Sequence, residues 1–268
     1  MGNSNFGGTT MGKIIAIVNQ KGGVGKTTSA VNLSAALHDL GLRTLLCDFD
    51  PQANATSGLG IEKRKIEKSI YDVIINGTDP KEVVIQTKFG DVLPSSSDLA
   101  GAAVELIGTD AREYQLKNAL AKLRFDYDVI FIDCPPSLEL LTLNGLCAAD
   151  SIIVPVQCEY FALEGLADLM NTLRAVKKKL NPRLDLFGVI LTMFDGRTNF
   201  SNQVAQAVRS HFPGKVFANV IPRNVRLAEA PSHGIPVMNY DRSSRGSVAY
   251  RKLAEEVAAK LGVNAAQV

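Results

Sequence analysis

Nine consecutive residues, Gln20-Lys21-Gly22-Gly23-Val24-Gly25-Lys26-Thr27-Thr28, bring three glycines, two lysines and two adjacent hydroxyls together. Glycines allow backbone N–H groups to crowd around an anion, and a helix opening just after them adds its positive end. In that setting Lys26 can reach the outer phosphates of a nucleotide and the Thr27 hydroxyl can ligate Mg²⁺. Gln20 stands where the strict pattern GxxxxGK[ST] has its first glycine. Lys21 lies inside the glycine cluster, too near Lys26 for both ammonium groups to sit there without a strong anion.

Such a loop works only if rigid elements hold it. The runs 13–19, 43–49, 127–133, 151–156 and 186–193 are rich in Ile, Val and Leu without polar alternation. That is the pattern of parallel strands buried on both faces. Residues 26–40 place Ala30, Leu33, Leu37 and Leu40 at helical spacing, and Gly41 is a natural stop. Segments 162–180, 200–212 and 244–261 read as further helices. Strand–helix alternation predicts an α/β fold, a doubly wound and mostly parallel sheet flanked by helices. In such sheets ligands bind beyond the carboxyl ends of the strands, where the glycine loop lies. No repeat or linker interrupts residues 11–268, which read as one domain. Residues 1–10 are small and polar and read as a disordered extension or expression remnant, with Met11 the functional start. They lack the basic and apolar regions of a signal peptide, and Phe6 occupies the place where myristoylation wants Ser or Thr.

Composition narrows the class further. With 46% hydrophobic and 21% charged residues in 268, the chain is neither disordered nor fibrous. No apolar run is long enough for a transmembrane helix. Cys47, Cys134, Cys147 and Cys158 show no metal-type spacing and lie in or beside apolar runs, as buried thiols in a reducing cytosol do. His38, His211 and His233 fall outside every motif. Residues 1–173 carry a net charge of −7 and residues 174–268 a net charge of +9. A basic C-terminal third suits a polyanion.

Three stretches carry a family resemblance: KGGVGKTT (21–28), LLCDFDPQANATSGLG (45–60) and VIFIDCPPS (129–137). They resemble the deviant Walker A, second and Walker B motifs of the ParA/MinD family of P-loop ATPases. CEYFALEGL (158–166), TMFDGRTN (192–199) and VIPRNVRLAEAPSHG (220–234) narrow the likeness to chromosome-partitioning ATPases of the ParA/Soj type, across essentially all of 11–260. The resemblance implies a P-loop NTPase fold, ATP and Mg²⁺, slow hydrolysis and an ATP-dependent homodimer. Lys21 would cross the dimer interface to the partner's nucleotide. Residues 21–28, Val24 and Thr28 included, would hold phosphates. Asp50 would orient the attacking water, Asp48 would support the loop and magnesium shell, and Asp133 would hold a water on Mg²⁺. A turn before Pro51 is the plainer reading of Asp48 and Asp50. Pro222 and Asn224 would line the adenine, unless Pro222 merely sets a turn.

The resemblance also implies non-specific double-stranded DNA and a ParB-type protein as partners, in the bacterial cytoplasm on the nucleoid. Arg197, Arg223, Arg226, Arg242 and Arg245 are the expected DNA contacts, with Lys177, Lys178 and Lys179 as weaker ones. Two alternatives stay open. A MinD-like ATPase would cycle on membranes through a basic amphipathic C-terminal helix, but the tail here is alanine-rich and carries Glu255 and Glu256. An iron–sulfur reductase would need paired cysteines at a dimer interface.

Overall fold

The structure is a computed structural model that describes residues 11–159 and 162–263. The expected N-terminal extension, and Tyr160 and Phe161 of the CEYFALEGL motif, lie outside the described residues. Seven strands form one sheet: β1 (Lys13–Ile17), β2 (Thr44–Asp48), β3 (Ile85–Thr87), β4 (Gly90–Leu93), β5 (Val129–Asp133), β6 (Ser151–Gln157) and β7 (Asp185–Thr192). Their order is β3-β4-β2-β5-β1-β6-β7, and every neighbouring pair is parallel except the β3–β4 hairpin at one edge. This is the expected doubly wound, mostly parallel sheet of a P-loop NTPase.

Helices pack on both faces. They are α1 (Lys26–Asp39), α2 (Asn54–Gly58), α3 (Ile70–Ile74), α4 (Leu99–Glu105), α5 (Gln115–Ala121) and α6 (Leu140–Ala148). The rest are α7 (Ala162–Lys179), α8 (Asn199–His211), α9 (Val225–Glu229), α10 (Val237–Tyr240) and α11 (Arg245–Leu261). Along β1, Ile14 and Ala16 join one core and Ile15 and Ile17 the other, which is why the strand shows no polar alternation. The first core meets α3 to α8, and the second meets α1, α10 and α11. Ala30, Leu33 and Leu37 are buried as their spacing required. The short strands β3 and β4 and the short helices between β2 and β5 had no pattern in the sequence long enough to mark them.

Strand ends differ slightly from expectation, and the difference serves the site. β1 ends at Ile17, and two residues on the Asn19 side-chain amide donates to the Pro155 carbonyl at 2.8 Å. Register then brings three strand ends level: Ile17 pairs with Asp133, and Asp133 with Asp48. The segments after β1, β2 and β5 therefore leave the sheet side by side.

Candidate functional site

The glycine loop leaves β1 and enters α1 without a side-chain cap and without an acidic residue in the first turn. The first N–H groups of α1 are left for an outside acceptor, and the helix adds its positive end. Gly23 and Gly25 sit at φ 74° and 89°, in the left-handed region where a side chain would be strained. A Cβ on Gly22 or Gly23 would meet no protein atom within 4 Å, so their outer side is open. The loop is pinned from behind, where the Thr192 hydroxyl at the end of β7 donates to the Val24 carbonyl at 2.8 Å.

Lys26 is buried, and its Nζ bridges the loop to the Lys21 carbonyl at 3.0 Å. Burial lowers its pKa while Asp133 and Asp50 act to raise it, which puts both carboxylates within electrostatic reach of the ammonium. The Lys21 backbone N–H donates to Asn19 Oδ1 at 3.0 Å. Its side chain lies along α7, where a Cβ on Gly165 would come 3.4 Å from Lys21 Cε.

Asp48 and Asp133 are fully buried, paired in register on adjacent strands. Their surroundings differ. Asp48 is already engaged: Oδ2 accepts from the Thr56 N–H and hydroxyl, both at 2.7 Å, and Oδ1 from the Asp50 N–H at 3.3 Å. Both Asp133 oxygens are buried without a geometric hydrogen-bond partner. Burial, then the Asp48 charge, pushes the Asp133 carboxyl up, while the Thr27 hydroxyl and Lys26 pull it down. A buried carboxylate beside a hydroxyl and an ammonium, with its oxygens unspent, fits a hard cation such as Mg²⁺. Asp48 fits the loop-supporting half of its expected role better than the metal half, because its oxygens are already taken. Asp50 is buried as well, with Oδ1 accepting from the Gln52 N–H at 2.9 Å.

Beside the loop opens a cavity of about 370 Å³, lined among others by Thr28, Met193, Pro222, Asn224, Leu227 and Tyr250. That is room for a purine, and it touches both the loop and the expected base-contacting segment. Pro222 and Asn224 both line this cavity. Asn224 also caps α9, its Oδ1 accepting from the Arg226 N–H at 2.9 Å, which leaves its N–H₂ as the unspent half. Met193 holds φ 49° at this rim. Tyr250 and Thr192 escaped the sequence reading, since only tertiary contacts 221 and 168 residues long bring them to Ser29 and Val24.

The five expected DNA arginines separate into groups. Arg197 is engaged by Asp195 through Nε and Nη2, at 2.9 and 2.8 Å. Arg226 pairs with Glu229 at 2.7 Å and Asp241 at 3.3 Å. Arg223 lines the cavity. Arg242 and Arg245 are exposed, and no ion pair holds either among the described residues. The Arg226–Asp241 pair and the packing of Leu227 on Gly246 bring Arg226, Arg242 and Arg245 into one neighbourhood. Lys177, Lys178 and Lys179 are exposed at the end of α7.

All four cysteines are buried free thiols, and no described helix is long and apolar enough to cross a membrane. The histidines stand apart: His211 bonds the Ala207 carbonyl within α8, and His233 stacks on Tyr240.

Comparison with known proteins agrees with this geometry. A family described as an AAA domain matches residues 12–186. The sporulation initiation inhibitor protein Soj of Bacillus subtilis is 56% identical over 93% of this chain and 99% of its own. The chromosome partitioning protein ParA of Myxococcus xanthus is 50% identical over 96% and 91%. Among solved structures, a cobyrinic acid a,c-diamide synthase from Mycobacterium smegmatis with bound ADP and magnesium aligns with a TM-score of 0.81 and 41% identity, covering 92% of this chain and 94% of that one.

Proposed function

Because the chain belongs to the Soj/ParA family of chromosome-partitioning ATPases, we propose that it is an ATP-driven switch that binds DNA as a dimer and lets go on hydrolysis. The observation that carries this is the loop itself: an uncapped helix end behind open glycines, with Lys26, Thr27, Asp133 and Asp50 converging on it.

In this reading residues 21–28 wrap the phosphates of ATP and Lys26 neutralises the outer ones. The base enters the cavity at Pro222 and Asn224. Thr27 and Asp133 hold Mg²⁺, which when bound supplies positive charge against the phosphates. Asp50 orients the water for in-line attack, since positioning and charge are what phosphoryl transfer asks of a protein. Lys21 leaves its own α7 and reaches the partner's nucleotide, so that ATP joins two protomers. The dimer then presents two copies of the Arg226, Arg242 and Arg245 neighbourhood to the DNA backbone. Arg226 must exchange its carboxylate partners for phosphate, so Arg242 and Arg245 carry the larger share. A ParB-type protein accelerates hydrolysis, the dimer parts, and DNA affinity follows the nucleotide.

DNA rather than membrane is favoured because α11 spends its apolar face on the core, burying Tyr250, Leu253 and Val257. Duplex binding by the Asp50→Ala protein, compared with ATP and with ADP, tests the switch. Tight binding with ATP alone supports it. Equal binding with both nucleotides, or binding to anionic vesicles instead, would refute it.

A further inference from the structure

We propose that Thr56 is a positioning residue that holds Asp50 at the hydrolytic site, an inference that rests on Asp50 being the carboxylate that orients water. Thr56 is fully buried in α2, on the segment that follows Asp50. Its hydroxyl donates to Asp48 Oδ2 at 2.7 Å and accepts from the Ser95 N–H at 3.1 Å. The other Asp48 oxygen accepts from the Asp50 N–H at 3.3 Å. One hydrogen-bonded line thus runs from the end of β4, through Thr56 and Asp48, to the backbone of Asp50.

The line has a fixed far end. β4 is locked to β2 by Cys47–Leu93 pairing, and Ser95 follows only two residues beyond the end of that strand. The segment is pinned again beyond α2, where Gly60 and Gly234 pack backbone on backbone: a Cβ on Gly60 would meet the Gly234 carbonyl at 2.9 Å. Between these anchors Asp50 is held mainly by its own turn with Gln52 and by Asp48. Without the hydroxyl, the Ser95 N–H and one Asp48 lone pair lose their partner in a buried place, and the loop has reason to shift. ATP contacts the other loop, so affinity and turnover separate.

The experiment compares Thr56→Val, Thr56→Ala, Thr56→Ser and Asp50→Ala in full-length protein, by equilibrium ATP binding and phosphate release at saturating ATP. Thr56→Val and Thr56→Ala should bind ATP within about threefold of wild type yet turn over at least about tenfold more slowly, the scale on which small misplacements act. Thr56→Ser should restore turnover to within about threefold, because it keeps the hydroxyl. Parental turnover in Thr56→Val, with Asp50→Ala inactive, would overturn the positioning role and leave the reading of Asp50 intact. Parental turnover in Asp50→Ala would overturn both. Equal losses of affinity and turnover, or failure of both Thr56→Val and Thr56→Ala to fold, would also overturn it, placing Thr56 in binding or in folding.

Discussion

Lys26 and Asp50 approach one site from opposite needs. Both are buried, but the lysine has lost hydration that a bound polyanion would repay, whereas the aspartate needs only to be aimed. Lys26→Ala should therefore abolish ATP binding, whereas Asp50→Ala should bind ATP and fail to hydrolyse it. Nucleotide binding and phosphate release measured on both variants check this, and an Asp50→Ala protein with parental turnover would remove the carboxylate from the chemistry. Asp133 lends itself to a test by pH. Burial raises its carboxyl above the ordinary value of 3.8, and the Asp48 charge raises it further. A group that holds its proton more tightly when folded makes the nucleotide-free protein lose stability as pH climbs from that value through the raised one. Asp133→Asn should thus melt with a shallower decline than wild type as pH rises above the ordinary carboxylate range. Parallel curves would show that the buried carboxyl is already compensated.

At the scale of the element, α11 joins the wall of the cavity to the exposed Arg245. Ser244 caps it, accepting from the Ser247 N–H at 3.2 Å, and Arg245 stands exposed at its first position. One residue later Gly246 lies so near Leu227 that a Cβ there would approach it to 2.8 Å. A turn further on, Tyr250 lines the cavity beside the glycine loop and its hydroxyl bonds Ser29 Oγ at 3.0 Å. The Glu256 carboxylate accepts from the Ala218 and Asn219 N–H groups at 2.8 and 2.7 Å, just ahead of Pro222. One helix thus braces the segment around Pro222 and carries the exposed Arg245. Arg245→Ala should leave ATP-driven dimerisation intact and weaken DNA binding equally on unrelated sequences. With about 0.9 of log–log salt slope per phosphate and two protomers, the slope should flatten by about 2. An unchanged slope in a salt titration would put the contact elsewhere.

For the whole molecule, the decisive question is whether two copies meet over ATP. Lys21 lies along α7 of its own protomer, with its backbone fixed by Asn19, so reaching a partner requires the side chain to swing while the loop stays. In light scattering, Asp50→Ala protein should be monomeric with ADP and dimeric with ATP. Adding Lys21→Ala should return it to monomer while ATP affinity survives, since the charge acts across the interface. A double variant that still dimerised would exclude the trans-acting role.

The glycine loop, its two lysines and the five buried strands were legible in the sequence because each is a local pattern: residue types at fixed spacing, or an unbroken apolar run. The same locality explains what was hidden. β3 and β4 are three and four residues long, too short to declare a period. Asp48 and Asp133 could be named as carboxylates at strand ends, but their different surroundings, with Asp48 bonded by Thr56 and Asp50 and Asp133 facing Thr27 and Lys26, follow from where those residues fall in space. The arginines read alike along the chain, and only the fold gives Arg226 two carboxylates and Arg245 none among the described residues. Sequence determined the phosphate chemistry and the alternation that builds the sheet, since both are written within a few residues. Tertiary structure decided which polar groups are already partnered, because a hydrogen bond between distant residues is set by packing and leaves no local trace.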